Sequence, residues 1–135
     1  MKLACVLIIA GLMVCLTEAQ IRYPEYYRVQ DAIGECKREL GSTVDELTNV
    51  KLGIITPDTG RQVLCVHRRL GYMDLNGDIL PGPYELHIAG VTDDKGRKEE
   101  FRRCGAYQGL LPAEVKAINF DRCFQAILQI MGRDG

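Results

Sequence analysis

The chain predicts an all-α fold: one compact domain of six helices held by disulfides. Apolar residues recur at three- and four-residue steps through six successive segments, most of them bounded by Pro, Gly or a capping residue. No stretch alternates convincingly with period two; KLGIIT at residues 51–56 comes nearest and is too short and isolated to build a sheet. Four cysteines follow residue 20: Cys36, Cys65, Cys104 and Cys123. An even number in a small exported chain reads as a disulfide framework, and four cysteines leave three connectivities open.

Export is read from the first nineteen residues, MKLACVLIIAGLMVCLTEA. Lys2 supplies a positive start, residues 3–16 an almost unbroken apolar core, and residues 17–19 a small-residue cleavage context. This is the pattern of a secretory leader cut near Ala19, which would take Cys5 and Cys15 with it. Residues 20–135 then form a single domain, long enough to bury about two-thirds of its unfolded surface. No later run is apolar enough to span a bilayer, so no membrane insertion is expected. The net charge of −1 gives no electrostatic reason to expect nucleic acid as a partner.

The first helix, over residues 24–40, opens on Pro24, stops before Gly41, and places Val29, Ile33, Cys36 and Leu40 on one face. The second, over 44–52, follows Thr43-Val44-Asp45-Glu46, a capping-box pattern. The third runs from Pro57 to Leu70, with Gly71 as its stop. A turn at Asn76-Gly77 leads to the fourth, over 83–91, with Tyr84, His87, Ile88 and Val91 on its apolar face. The fifth, over 93–107, puts two acids in its first turn and pairs Lys95 with Glu99 and Glu99 with Arg103. The sixth, over 112–131, carries Ile118, Phe120, Phe124, Ile127, Leu128 and Met131 and ends at Gly132.

Catalytic and metal readings find little support. The histidines are His67 and His87, and the single serine, Ser42, belongs to a capping neighbourhood. No nucleophile stands in a strand-turn-helix context, so no catalytic residues are assigned and the chain is read as not an enzyme, with no cofactor. Asp74, Asn76, Asp78 and Glu85 fall at calcium-loop positions, but the required sixth-position Gly is Ile79 and Pro81 and Pro83 stiffen the remainder. The segment reads as a solvated turn with no metal. His67, in the basic run His67-Arg68-Arg69, reads as the solvated side of the third helix.

The cysteine spacing, with the run Leu70-Gly71-Tyr72-Met73-Asp74 and Asn76-Gly77 after Cys65, resembles the insect odorant-binding protein family of the pheromone- and general-odorant-binding type. The resemblance covers the whole chain after the leader. That family usually has six cysteines; Arg61 and Glu114 stand where its second and fifth would fall, so the chain is similar to the four-cysteine "C-minus" subgroup. The resemblance implies six helices around an apolar cavity, bridges Cys36–Cys65 and Cys104–Cys123, and an Arg61–Glu114 ion pair in place of the missing bridge. It also implies a cavity wall of Ile33, Met73, Tyr84, His87, Ile88, Phe120, Phe124 and Ile127.

The function it implies is a secreted carrier that solubilises small hydrophobic ligands such as odorants or pheromones. A chemoreceptor would be a further partner, and the carrier would be a monomer or weak dimer. The same fold could serve outside olfaction, in haemolymph, saliva, venom or reproductive fluid. A helical effector acting through its surface is the rival class.

Overall fold

The computed structural model describes residues 3–8, 12–17 and 24–134. Six helices follow in order: α1 Pro24–Leu40, α2 Glu46–Lys51, α3 Pro57–Arg69, α4 Pro81–Val91, α5 Lys95–Cys104 and α6 Ala113–Asp134. The helical domain is all-α, as its periodicity predicts. Upstream, β1 (Leu3–Ile8) and β2 (Leu12–Thr17) pair antiparallel, Leu3 opposite Thr17 and Ile8 opposite Leu12. The sequence reading placed no strand there. A run without polar residues has no period to read, so its pairing cannot be taken from pattern. Among the described residues no helix is long and apolar enough to cross a membrane.

The helix ends show where local chemistry decides and where it misleads. α1 closes on Gly41 at φ 64°, where the Ser42 N–H reaches the Lys37 carbonyl at 2.8 Å. Leu40 is exposed at this end, so the shared face of α1 is Val29, Ile33 and Cys36 without it. α2 is capped by Asp45, whose carboxylate accepts from the Leu47 and Thr48 N–H groups, two residues later than the Thr43 box predicted. In α3 the Thr56 N–H donates to Thr59 Oγ1 at 2.8 Å.

α4 begins two residues early because Pro81 and Pro83 both fall in its first turn, where no N–H is needed. α5 is shorter than expected: Asp94 is its cap, accepting from the Arg97 N–H, and its ion pairs include Arg97–Glu100, Arg102–Glu99 and Arg102–Glu85. The expected Lys95–Glu99 and Glu99–Arg103 pairs give way to these. α6 continues through Gly132 to Asp134, since a single Gly at a frayed end costs a helix only about 1 kcal/mol.

α3 is the centre of the packing, lying against α6, α1 and α2, with α5 on α6 and α4 between α1 and α5. Two bridges fasten the helices: Cys36–Cys65 joins α1 to α3 and Cys104–Cys123 joins α5 to α6, with Cα separations of 6.0 and 5.5 Å. Each closes a loop whose entropy is worth on the order of 3 kcal/mol. A buried polar clasp adds the α2–α3 contact: Glu46 accepts from Thr59 Oγ1 at 2.8 Å, and Gln62 accepts from the Glu46 N–H while donating to the Val44 carbonyl.

The α3–α4 turn is locked onto α6. Asp74 Oδ1 accepts the Asn76 and Asp78 N–H groups, and buried Lys116 reaches Asp78 Oδ1 at 2.8 Å. Asp74 and Asp78, two of the calcium-loop positions, are therefore each engaged by protein donors, and Glu85 is paired with Arg102. Gly77 sits here at φ 79°, and a Cβ on it would lie 2.5 Å from the Ala113 carbonyl oxygen. Gly77→Ala is expected to cost about 2–3 kcal/mol, the sum of left-handed strain and a clash with backbone. Urea denaturation checks it; an unchanged midpoint would show that the turn can lift off α6 freely.

The predicted Arg61–Glu114 ion pair is not formed. Arg61 pairs with Asp58, three residues back on the same exposed helix face. The two helices do meet at this level, for a Cβ on Gly60 would come within 2.7 Å of Glu114 Cβ. A local partner at i−3 needs fewer side-chain torsions ordered than one across the helix pair, which explains the choice.

Candidate ligand cavity

A cavity of about 540 Å³ lies between α1, α2, α4 and α6. Its apolar wall comes from Val29 and Ile33 of α1, Leu47 of α2, Val91 of α4, and Phe124, Leu128 and Met131 of α6. These are the inward positions of amphipathic helices, placed by three- and four-residue spacing. Its rim is polar, with exposed Tyr26, Gln30, Thr48 and Lys51. A second depression of about 410 Å³ between α1, α3 and the start of α6 is lined by Glu39, Arg61, Arg68, Arg69 and Glu114 and has no comparable apolar wall.

Of the residues expected on the wall, Ile33, His87 and Phe124 border the cavity. Met73, Tyr84, Ile88, Phe120 and Ile127 are packed in the core behind it, each no more than 7% exposed. Tyr84 and Phe120 belong to an aromatic cluster: their rings are 5.4 Å apart, those of Phe101 and Phe124 4.4 Å, and those of Tyr72 and His87 4.6 Å. The sequence reading did not name Glu25, Val29, Leu47 or Val91 for the wall. Val29 and Val91 were legible as apolar-face positions; Glu25 and Leu47 needed the packing of α1 and α2.

Glu25 is the polar end of the cavity. It accepts from Arg28 through both oxygens, at 2.7 and 2.8 Å, and its Oε2 lies 2.8 Å from His87 Nδ1. Gly90 makes the seat possible, because a Cβ there would collide with the Glu25 side chain. Burial pulls the His87 pKa below its ordinary value of 6.5, with the Glu25 carboxylate opposing. The unfolded chain therefore takes up a proton that folded His87 refuses until lower pH. The native state binds fewer protons in that window, so this group's contribution falls as pH drops below about 6.5. His87→Gln is expected to flatten the loss of melting temperature between about pH 7 and 5; a variant with the wild-type slope would clear His87 of the effect.

His67 is the principal correction to the sequence reading. It is not on a solvated face but 4% exposed, with Nε2 at 2.8 Å from Asp121 Oδ1 and Nδ1 at 2.5 Å from the Tyr72 hydroxyl. Its position four after Val63 and three before Leu70 puts it on the inward face, a signal the adjacent arginines obscured. Burial raises the Tyr72 pKa well above its ordinary value, so its hydroxyl stays protonated in the contact with His67. The Asp121–His67–Tyr72 chain resembles a proton relay in composition, yet it is sealed in the core and does not line the cavity. Glu39 approaches the Cys36–Cys65 sulfurs, but a disulfide offers no thiolate to a metal.

No protein-family model matches the chain, and no curated protein matches it in sequence. Among solved structures it is similar to the odorant-binding protein dmelOBP28a from Drosophila melanogaster, with a TM-score of 0.61 over 82% of this chain and 98% of that one, at 18% identity. The fold is odorant-binding-protein-like. In an odorant-binding-protein-like fold at this identity the backbone is shared and the wall residues are this chain's own, so the chemistry of the cavity is read from Glu25, His87 and Phe124 rather than carried over.

Proposed function

We propose that this protein is a secreted, non-enzymatic carrier that holds small hydrophobic ligands in the α1–α2–α4–α6 cavity. The observation that carries the reading is a cavity of about 540 Å³, apolar-walled and polar-rimmed, in an odorant-binding-protein-like fold. Two disulfides and an apolar N-terminal run fit export with a leader cut near Ala19, and four cysteines in the helical domain fit the four-cysteine subgroup. Odorants or pheromones are the ligand class the fold suggests, delivered to a chemoreceptor.

Binding is driven by desolvation, at roughly 25 cal/mol per Å² of apolar area. For a ligand of moderate size this gives affinities near micromolar, about −8 kcal/mol, weak enough to permit release. The apolar fluorophore N-phenyl-1-naphthylamine is expected to bind and to be displaced by small volatiles. Leu128→Trp, which fills the wall, should weaken probe binding at least tenfold. A probe that fails to bind, or that binds the Trp variant equally well, removes the carrier reading and leaves a surface-acting helical protein.

A further inference from the structure

His87 is held in one tautomer. Its Nδ1 faces Glu25 Oε2 at 2.8 Å, and Arg28 forks onto the same carboxylate, which is therefore an acceptor on every side. A carboxylate acceptor requires Nδ1 to carry the hydrogen, and in a neutral imidazole this leaves Nε2 as a lone-pair acceptor. Among the described residues Nε2 has no hydrogen-bond partner, yet the buried side-chain polar atom without one is Asp121 Oδ2. Nε2 thus keeps some accessible surface although the side chain is only 5% exposed, and His87 borders the cavity. The ring itself is clamped between Tyr72 and Phe124, at 4.6 and 5.4 Å, so it cannot turn to offer its other edge without unpacking the core.

Of the other polar groups on the lining, Glu25 already accepts from Arg28 and His87 and Asp45 from the start of α2, and the rest are placed where they discriminate less. Tyr26, Gln30, Thr48 and Lys51 are exposed at the rim, where water competes for them. Gln125 is half-buried and can play either role. His87 is the buried one, where a hydrogen bond counts most. We infer that the cavity selects ligands bearing a hydrogen-bond donor, alcohols above all, over carbonyl and ether analogues of equal size, because His87 Nε2 receives their hydroxyl. The inference rests on the carrier reading and names the ligand class of that cavity.

The test is displacement of N-phenyl-1-naphthylamine at neutral pH by three isomeric or near-isomeric ligands: 1-decanol, decanal and methyl nonyl ether. In the wild type 1-decanol should displace at about three- to tenfold lower concentration than the other two, the worth of one neutral hydrogen bond. In His87→Phe, which keeps a ring against Tyr72 and Phe124, the three should converge when each displacement is read against the variant's own probe affinity. Nitrogen-15 NMR of the wild-type imidazole provides the arm that needs no variant: it should show the Nδ1–H tautomer, with the Nε2 signal moving when 1-decanol is added. Equal displacement by the three ligands, an Nε2–H tautomer, or a preference that survives in His87→Phe each overturns the inference while the carrier reading stands. Failure of the probe to bind at all overturns both.

Discussion

Replacing His67 with leucine is expected to lower the melting temperature by roughly 10–20 °C. The side chains of His67 and Asp121 are 5% and 3% exposed, and among the described residues their 2.8 Å contact engages one oxygen of the Asp121 carboxylate while the other has no partner. Leucine fills nearly the same space, so the effect is not a cavity. It is a buried carboxylate stripped of its partner, a loss of about 3–5 kcal/mol. The Tyr72 hydroxyl is stranded by the same change, which adds to the cost. The double variant His67→Leu with Asp121→Leu separates the two effects. Removing both members should recover much of the loss, because the penalty lies in leaving one alone. Thermal melts followed by circular dichroism decide it: a single variant within about 1 kcal/mol of wild type would mean that Asp121 finds water or another donor.

Phe124→Ala is expected to cost about 3 kcal/mol and to change which ligands bind. Phe124 belongs to the core and to the cavity wall at once. It stacks on Phe101 at 4.4 Å, touches His87 and Phe120, and borders the open space on its other side. Truncation removes those contacts and joins the vacated volume to the cavity. Bulkier ligands should gain affinity relative to slim ones, and the His87 ring should lose half of its clamp. Urea denaturation together with displacement by a short and a branched ligand reads both effects. A variant with wild-type stability and the same ligand order would place Phe124 outside the wall.

Much of the fold was legible because its causes are local. Pro24, Gly41, Thr56 and Pro57 mark helix ends through φ angles and orphan N–H groups that depend only on neighbouring residues. The inward faces of α1, α4 and α6 followed from three- and four-residue spacing. Errors appeared where two local signals compete. Thr43 and Asp45 both cap well, and Asp45 won because Glu46 is drawn into the clasp with Gln62 and Thr59. Pro81 and Pro83 could each open α4, and the helix took both. His67 was misread because a basic neighbour on each later position outweighed its own apolar register.

The sequence by itself determined the class, the six helices and the residues available to a core, since periodicity and capping are properties of a short window of chain. Which core residues face a cavity was decided only by tertiary structure. Ile88, Phe120 and Phe124 carry the same apolar signal, yet Phe124 alone of the three reaches open space. The Glu25–His87 contact joins residues from the start of α1 and the middle of α4, and it exists because Gly90 lets those helices approach. Arg61 likewise turned to Asp58 although Glu114 lies across from its helix. Partner choice between elements depends on distances of a few ångströms that no pattern along the chain encodes, which is why the fold could be read and the wall could not.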